Sequence, residues 1–177
     1  MIVGLVGDMG SGKTLIATYF AYHYFKKCKS KIYANYHLNF PFEIIKMSQL
    51  TNPAYNFSNS VLIIDEIHQF LDSRLSGSKK NRTIGYFITQ SRKRNIILLY
   101  TTQQAGQADK RLRGNTDYFI RCTNLSPKDA KENIFIQWEI IDSHNKSRKY
   151  AFKADPYFKL YDTTQVVPFE DENKNER

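Results

Sequence analysis

Eight residues near the amino terminus read Gly7-Asp8-Met9-Gly10-Ser11-Gly12-Lys13-Thr14. They fit the pattern G-x-x-x-x-G-K-T, in which glycines let the backbone turn tightly and approach a polyphosphate closely. The apolar run before them, at 2–6, predicts a buried strand, and the apolar residues after them, at 15–21, predict a helix. Strand, glycine-rich turn and helix in this order predict a phosphate-binding loop rather than a chance turn.

The residue types of this loop suit a nucleoside triphosphate and its cation. Successive backbone N–H groups and the positive end of the following helix would face the phosphate oxygens. Lys13 would reach the β and γ phosphates, and the Thr14 hydroxyl would bind Mg²⁺. We therefore expect ATP to be held by Gly7, Asp8, Met9, Gly10, Ser11, Gly12, Lys13 and Thr14.

A second segment supplies two carboxylates. Four apolar residues at 61–64 predict a strand buried on both faces, and Asp65 and Glu66 follow at its carboxyl end. Ligands bind at that end of the strands in open α/β sheets. We expect Asp65 to hold Mg²⁺, directly or through water, and Glu66 to act as the general base on the attacking water.

Another buried strand, at 96–103, ends in polar residues. A polar side chain there can sense the γ-phosphate when this strand lies between the loop strand and the acid strand. We expect Gln103 in that role and consider Thr102 a weaker candidate. The alternative is that the strand simply ends in hydrophilic residues.

The remaining pattern alternates strands and helices, which is typical of a parallel sheet covered on both faces. Further strands are predicted at 31–36 and 117–122, and helices at 42–50, 68–75, 83–93 and 109–113. Two aromatic-rich or β-branched runs, 133–141 and 149–153, flank a polar turn and predict a β-hairpin at the sheet edge. Within it, Trp138 and Tyr150 are expected to pack rather than to stack on bases.

The length of 177 residues suits one domain, which we place at 1–167. It comprises a core at 1–125 and a hairpin extension at 130–165, followed by an acidic, flexible tail at 168–177.

The net charge of +9 is concentrated in one part of the chain. Residues 74–113 hold ten Lys and Arg and one acid, Asp109, whereas the remaining residues balance at 16 basic and 16 acidic. This pattern favours a nucleic-acid partner, although a solvated basic surface would look the same. The polar, basic stretch 76–82 is either a loop that contacts DNA or a plain connection.

Several other classes of protein are disfavoured. We expect no secretory leader and no membrane span, because charged residues interrupt the apolar runs early. Cys28 and Cys122 are far apart, and the four histidines are scattered, so neither a disulfide nor a His/Cys metal cluster is indicated. A reduced, intracellular setting follows.

The chain resembles the FtsK/HerA group of P-loop ATPases, and within it the zonula-occludens-toxin-like (Zot-like) domains of phages and viruses. The segments that carry the resemblance are 7–14, 62–66, 90–92, 96–103, 112–113, 117–118 and 158–163. Together they span about residues 1 to 165. The Ser-Arg, Thr-Gln and Leu-Arg spacing and the Tyr-Asp-Thr close are more specific than the phosphate loop, which very many ATPases share.

This resemblance implies an α/β P-loop NTPase fold, a three-layer sandwich with strand order 5-1-4-3-2. It also implies an ATP-driven, homo-oligomeric ring in which an arginine from a neighbouring subunit completes the site. Arg92 stands where that group tends to carry the arginine, and Arg94, Arg111 and Arg113 are alternatives.

Among the functions of the group, the chain best matches packaging of a viral genome as double-stranded DNA, in the cytoplasm of an infected cell or on the virion. Phage members usually carry a transmembrane segment after this domain, and this sequence shows none. The first alternative is virion morphogenesis or extrusion at a membrane, with capsid or membrane proteins as partners. The second is a nucleotide kinase or a small GTPase-like switch.

Overall fold

One eight-stranded sheet organises the part of the chain that the computed structural model describes, residues 1–52, 55–69, 79–127, 129–141 and 147–165. The strands are β1 (Ile2–Val6), β2 (Lys31–Ala34), β3 (Glu43–Ile44), β4 (Ser60–Ile64), β5 (Ile97–Thr102), β6 (Tyr118–Asn124), β7 (Phe135–Ile141) and β8 (Ser147–Lys153). The helices are α1 (Lys13–Cys28), α2 (Met47–Thr51), α3 (Lys79–Ser91) and α4 (Lys110–Asn115). Short 3₁₀ turns cover Ile67–Gln69, Ala105–Gln107 and Asp155–Leu160.

The strands lie in the order β3-β2-β4-β5-β1-β6-β7-β8. The first six are parallel, and β7 and β8 are antiparallel additions at the far edge. When the five core strands are numbered along the chain, their order is 5-1-4-3-2, which confirms the expected topology. Strand β5 therefore lies between the loop strand β1 and the acid strand β4, as required of a strand that senses the γ-phosphate.

Two apolar layers cover the sheet because alternate residues of each strand point to opposite faces. Leu62, Ile64 and Tyr100 pack with apolar residues of α2, α3 and α4. Ile63 and Leu99 pack instead with α1, the hairpin and the last 3₁₀ turn. The central strands are buried on both faces, so the predicted three-layer sandwich is confirmed.

Several predicted elements differ from the observed ones. The helix predicted at 42–50 is wrong in its first half, because Ile45 N–H bonds Ala34 O and keeps that stretch extended beside β2. A two-residue strand and the short helix α2 replace it. Helix α3 starts at Lys79 rather than at Thr83, so residues 79–82 are helical and not loop. It ends at Ser91, two residues before the predicted Lys93.

Other predictions concern residues outside the described part. Of the helix predicted at 68–75, residues 70–75 lie outside it, while Ile67–Gln69 form a 3₁₀ turn. Residues 142–146 of the polar turn and the acidic tail at 168–177 also lie outside it. The proposed domain limits therefore stay a prediction.

The β7–β8 hairpin packs by aromatic contacts, as predicted. The rings of Trp138 and Tyr150 stack at 4.4 Å, and Trp138 meets Phe20 of α1 edge-on at 5.1 Å. Ile136 of β7 is buried and approaches the start of α1, so the hairpin supports the amino-terminal loop. In the described part of the chain, no helix combines the length and the apolar character needed to cross a bilayer.

Candidate active site

The glycine-rich loop connects β1 to α1 at the carboxyl edge of the sheet. Gly10 and Gly12 have φ angles of 75° and 89°, a region that residues with a Cβ rarely adopt. At Gly12 a Cβ would also lie 2.3 Å from Ile136 Cδ1, so a side chain there would have to displace the end of Ile136 in addition to straining the backbone. No atom of another described residue, the two chain neighbours aside, lies within 4 Å of a Cβ built on Gly10, so the described residues leave the mouth of the loop open.

The polar groups of this loop fit a polyphosphate. Lys13 is 6% exposed, and its amine donates to Asp8 O at 3.0 Å across the loop. The Ser11 hydroxyl is buried and has no hydrogen-bond partner among the described residues. Among the described residues, the Lys13 amine has a carbonyl group as its partner and the Ser11 hydroxyl has none, so both groups are available to phosphate oxygens. Met9 is 85% exposed at the tip of the loop.

Asp65 lies directly opposite the start of α1. Its Oδ1 accepts hydrogen bonds from the Thr14 hydroxyl at 2.9 Å and from the Thr101 hydroxyl at 2.6 Å. A hydroxyl and a carboxylate at this separation form the kind of oxygen donor set that Mg²⁺ prefers. Thr14 and Asp65 therefore fit the cation, and both contacts go to Oδ1, which leaves Oδ2 for a metal or its water.

Burial raises the pKa of Asp65, since the carboxylate is largely removed from solvent. Hydrogen bonds from Thr101 and Thr14 and the charges of Lys13 and His68 oppose the rise without cancelling it. Lys13 immediately precedes Thr14, whose hydroxyl contacts Asp65, so the loop lysine is the chain neighbour of the residue that meets this carboxylate. A cation bound there would favour the ionised form.

Asn35 fixes the backbone of Asp65. Its amide group accepts from Asp65 N at 2.8 Å and donates to Asp65 O at 3.0 Å, both in a buried environment. Asn35 follows β2, which neighbours β4, so the paired carboxyl ends of two strands bring these residues together. We call these two hydrogen bonds the Asn35 clamp. They hold the backbone of Asp65 beside the end of β2, where the regular pairing of β4 with β2 has ended.

Glu66 adopts a left-handed backbone conformation, with φ of 50°, which is uncommon for a residue with a side chain. Its N–H donates to Thr101 Oγ1 at 2.9 Å, a contact that helps to hold this conformation. Its Oε2 lies 3.2 Å from His68 Nδ1. Strained residues of this kind cluster at functional sites, and the turn that carries Glu66 lies at the same edge of the sheet as the loop.

The other two predicted catalytic residues lie in different places. Val6 pairs with Thr102, so Gln103 follows at the level where the loop begins. Thr102 is buried and bonds Gln104 O at 3.2 Å. Arg92 instead pairs with Asp117, whose other oxygen accepts from Ile2 N at the amino end of β1. Five strand residues separate that end from the loop, roughly 16 Å at the usual strand rise.

Within one chain, therefore, the structure brings together the loop, Asp65 and Glu66 but not Arg92. Sequence reasoning missed Thr101 and Asn35, which contact Asp65 directly. Their signal was present but weak: each is a polar residue at or next to the carboxyl end of a strand that neighbours β4. Their roles follow from the sheet order, which the polar residues alone do not specify.

Comparison with known proteins agrees with this geometry. The family described as "ATPase family associated with various cellular activities (AAA)" matches residues 3–124. The chain belongs to this family of P-loop ATPases, and its reaction is hydrolysis of ATP. Mg²⁺ is the usual partner of such ATPases. No sequence relative among the curated proteins matches the chain.

Several solved structures share the fold. The N-terminal domain of zonular occludens toxin from Neisseria meningitidis has a TM-score of 0.63 at 18% identity, covering 90% of this chain and 97% of that one. The genome packaging NTPase B204 from Sulfolobus turreted icosahedral virus 2, in complex with ATP-gammaS, has a TM-score of 0.59 at 18% identity, covering 84% and 96%. Both are of the kinds that the sequence resembles.

Proposed function

We propose that this ATPase is a motor that translocates double-stranded DNA, most specifically to package a viral genome in the cytoplasm of an infected cell. The observation that carries the proposal is an exposed basic face on the α3–α4 side of the sheet. The similar fold of a genome packaging NTPase supports it. We also propose that the chain assembles into a homo-oligomeric ring in which a neighbouring subunit completes each site.

The basic face consists of Lys93, Lys110, Arg111 and Arg113, all exposed. Helices α3 and α4 pack side by side, and Arg111 Cδ would lie 3.1 Å from a Cβ built on Gly85 of α3. The two acids nearby do not neutralise this face. Asp109 is 2% exposed and caps α4 through Arg111 N, and Asp117 is paired with Arg92. The face therefore suits the phosphates of a duplex, which it would contact without reading sequence.

The site geometry supports a division of labour in hydrolysis. Lys13 and the loop N–H groups would bind the phosphates, and Thr14 and Asp65 would hold Mg²⁺, which neutralises charge that develops on the phosphates. Glu66 would accept a proton from the attacking water. Gln103, which directly follows β5, would contact the γ-phosphate and sense its presence.

The position of Arg92 bears on how the subunits of the proposed ring would have to be arranged. Because this guanidinium lies at the amino edge of the sheet, away from the loop of its own chain, a catalytic role for it requires the site of a neighbouring subunit. Its side chain is 59% exposed, so an adjacent subunit can approach it. An arginine supplied in trans would make hydrolysis depend on assembly.

The experiment that tests the proposal measures ATP turnover with and without linear double-stranded DNA. We expect DNA to stimulate turnover and both Lys13→Ala and Glu66→Gln to abolish it. Translocation should be visible as displacement of a third strand from a triplex. DNA-independent turnover by a monomer would overturn the proposal.

A charge-matched pair of variants tests the basic face. Lys93→Gln with Lys110→Gln should weaken DNA binding and reduce the salt slope of binding by about two, because two phosphate contacts are lost. Lys27→Gln with Lys31→Gln removes the same charge from exposed positions at the end of α1 and the start of β2. Equal losses in both double variants would show a diffuse charge effect and contradict the assigned face.

The alternatives predict different outcomes. A virion morphogenesis or extrusion ATPase would show no measurable DNA affinity at low salt and would co-purify with a virion membrane or capsid protein. A nucleotide kinase would transfer the γ-phosphate to a nucleoside monophosphate, which a screen of acceptors would detect. Only DNA-stimulated hydrolysis accompanied by strand displacement agrees with the motor.

A further inference from the structure

A polar cavity of about 110 Å³ adjoins the predicted metal ligands. It is lined by Thr14, Tyr36, Asp65, Tyr161, Asp162, Thr163 and Gln165. Four of these seven residues come from the carboxyl-terminal segment 161–165, which lies almost a hundred residues after Asp65. A volume of this size holds several water molecules, and its lining is polar enough to bind them.

Segment 161–165 is fixed against the end of β2. A β-bridge joins Leu38 to Tyr161, and His37 N donates to Gln165 Oε1 at 2.6 Å. Just before it, Asn39 bonds the backbone oxygens of Lys159 and Leu160, each at 2.8 Å. The segment is thus held at both ends, and its position beside Asp65 is part of the fold.

Two of its side chains have the chemistry to act on a hydrated cation. Burial and, to a smaller extent, the charge of Asp65 raise the pKa of Tyr161 to about 12, so its hydroxyl stays neutral and can donate a hydrogen bond. Hydrogen bonds from Thr164 lower the pKa of Asp162, which is therefore an ionised acceptor at neutral pH. Only Asp162 Oδ1 receives those bonds, from Thr164 N at 2.8 Å and its hydroxyl at 2.7 Å.

The inner wall of the cavity is connected to the phosphate loop. The Tyr36 hydroxyl lies 2.7 Å from Thr18 Oγ1, which donates to Thr14 O at 2.8 Å. The rings of Tyr36 and Tyr161 also contact each other, with their centroids 6.0 Å apart. A ring contact and two hydrogen bonds therefore link Tyr161 to the first turn of α1.

We propose that segment 161–165 forms the magnesium-side wall of the nucleotide site, with Asp162 and Tyr161 as positioning residues for the water molecules of the bound cation. Asp162 accepts from these waters and adds negative charge to the lining that it shares with Asp65. The Tyr161 hydroxyl donates into the same cavity, towards Asp65 or towards a water. The proposal concerns the nucleotide site alone and does not depend on the presence of DNA.

The test measures Mn²⁺ affinity of the protein–ATPγS complex by electron paramagnetic resonance of the free cation. Asp162→Asn keeps an oxygen that can accept the Thr164 bonds, and Tyr161→Phe keeps the ring. We expect Asp162→Asn to weaken Mn²⁺ affinity by about tenfold, at the lower end of outer-ligand effects. Tyr161→Phe should weaken it by at least about threefold.

Glu43→Gln is the matched control, because it removes one exposed acid from the edge strand β3. It should leave Mn²⁺ affinity unchanged, and all three variants should bind the nucleotide in EDTA as the wild type does. Unchanged Mn²⁺ affinity in both wall variants would overturn the proposal. An equal loss of nucleotide affinity with and without the metal would also overturn it, since that result would indicate a general structural role.

Discussion

Thr101 Oγ1 lies 2.6 Å from Asp65 Oδ1, and this contact joins strand β5 to the acidic turn that follows β4. The same hydroxyl accepts the N–H of Glu66 at 2.9 Å. A threonine hydroxyl has one proton and two lone pairs, so it can serve both partners at once. One side chain on the central strand therefore sets the positions of the predicted metal ligand and the predicted general base.

Replacement of Thr101 by valine should impair hydrolysis without unfolding the protein. Valine keeps the shape but removes the hydroxyl, so Asp65 and Glu66 lose a shared partner. We expect kcat to fall by about 10- to 100-fold and Thr101→Ser to restore most of it, as measured with saturating MgATP. Thr102→Val should have a smaller effect, and wild-type kcat in Thr101→Val would show that the hydroxyl is dispensable.

The raised pKa of Asp65 predicts a conflict between stability and metal binding. An acid whose folded-state pKa exceeds its unfolded value costs stability above the folded pKa, and the cost disappears as pH falls below the unfolded value. Asp65→Asn should therefore raise the Tm of the metal-free protein at neutral pH, and the difference should shrink near the ordinary aspartate pKa of about 4.

The same variant should fail to gain stability from MgATP, because the carboxylate that holds the cation is absent. Thermal denaturation over a pH series, with and without MgATP, measures both effects. A lower Tm for metal-free Asp65→Asn at neutral pH would contradict the assignment of burial as the dominant influence on this carboxylate.

Loss of the Asn35 clamp should destabilise the fold. Asn35→Ala leaves the N–H and C=O of Asp65 without their buried partner, which should lower the free energy of unfolding by about 2–4 kcal/mol. Asn115→Ala removes an exposed contact to Arg111 O and should cost less than about 1 kcal/mol. Urea denaturation measures the free energy of unfolding of each variant. Similar losses in the two variants would show that the Asn35 clamp contributes no more than an exposed hydrogen bond.

Mixing of inactive subunits tests which arginine acts in trans. If Arg92 completes a neighbour's site, Arg92→Ala and Glu66→Gln proteins are each inactive, but a mixed ring contains interfaces with both groups intact. Random mixing makes roughly a quarter of the head-to-tail interfaces competent, so ATPase activity should reappear. No recovery with Arg92→Ala, but recovery with Arg94→Ala, Arg111→Ala or Arg113→Ala, would transfer the role to that residue.

Local sequence was sufficient to predict those parts of the site whose residues follow one another along the chain. Residues 7–14 and 61–66 predicted the loop and the acid pair because a strand, a turn and a few functional side chains follow one another along the backbone. Apolar runs and alternation also predicted the parallel sheet and the hairpin, since burial on one or both faces imposes a regular pattern. The resemblance to known ATPases supplied the strand order.

Tertiary structure was needed wherever residues of distant segments meet. Thr101, Asn35 and Tyr161 approach Asp65 only because parallel pairing aligns the carboxyl ends of β2, β4 and β5 and the last turn returns over β2. Arg92 illustrates the converse, since its place before β5 put it at the amino edge, away from its own loop. A strand's direction and its neighbours decide which side chains share an edge, and no local pattern encodes that pairing.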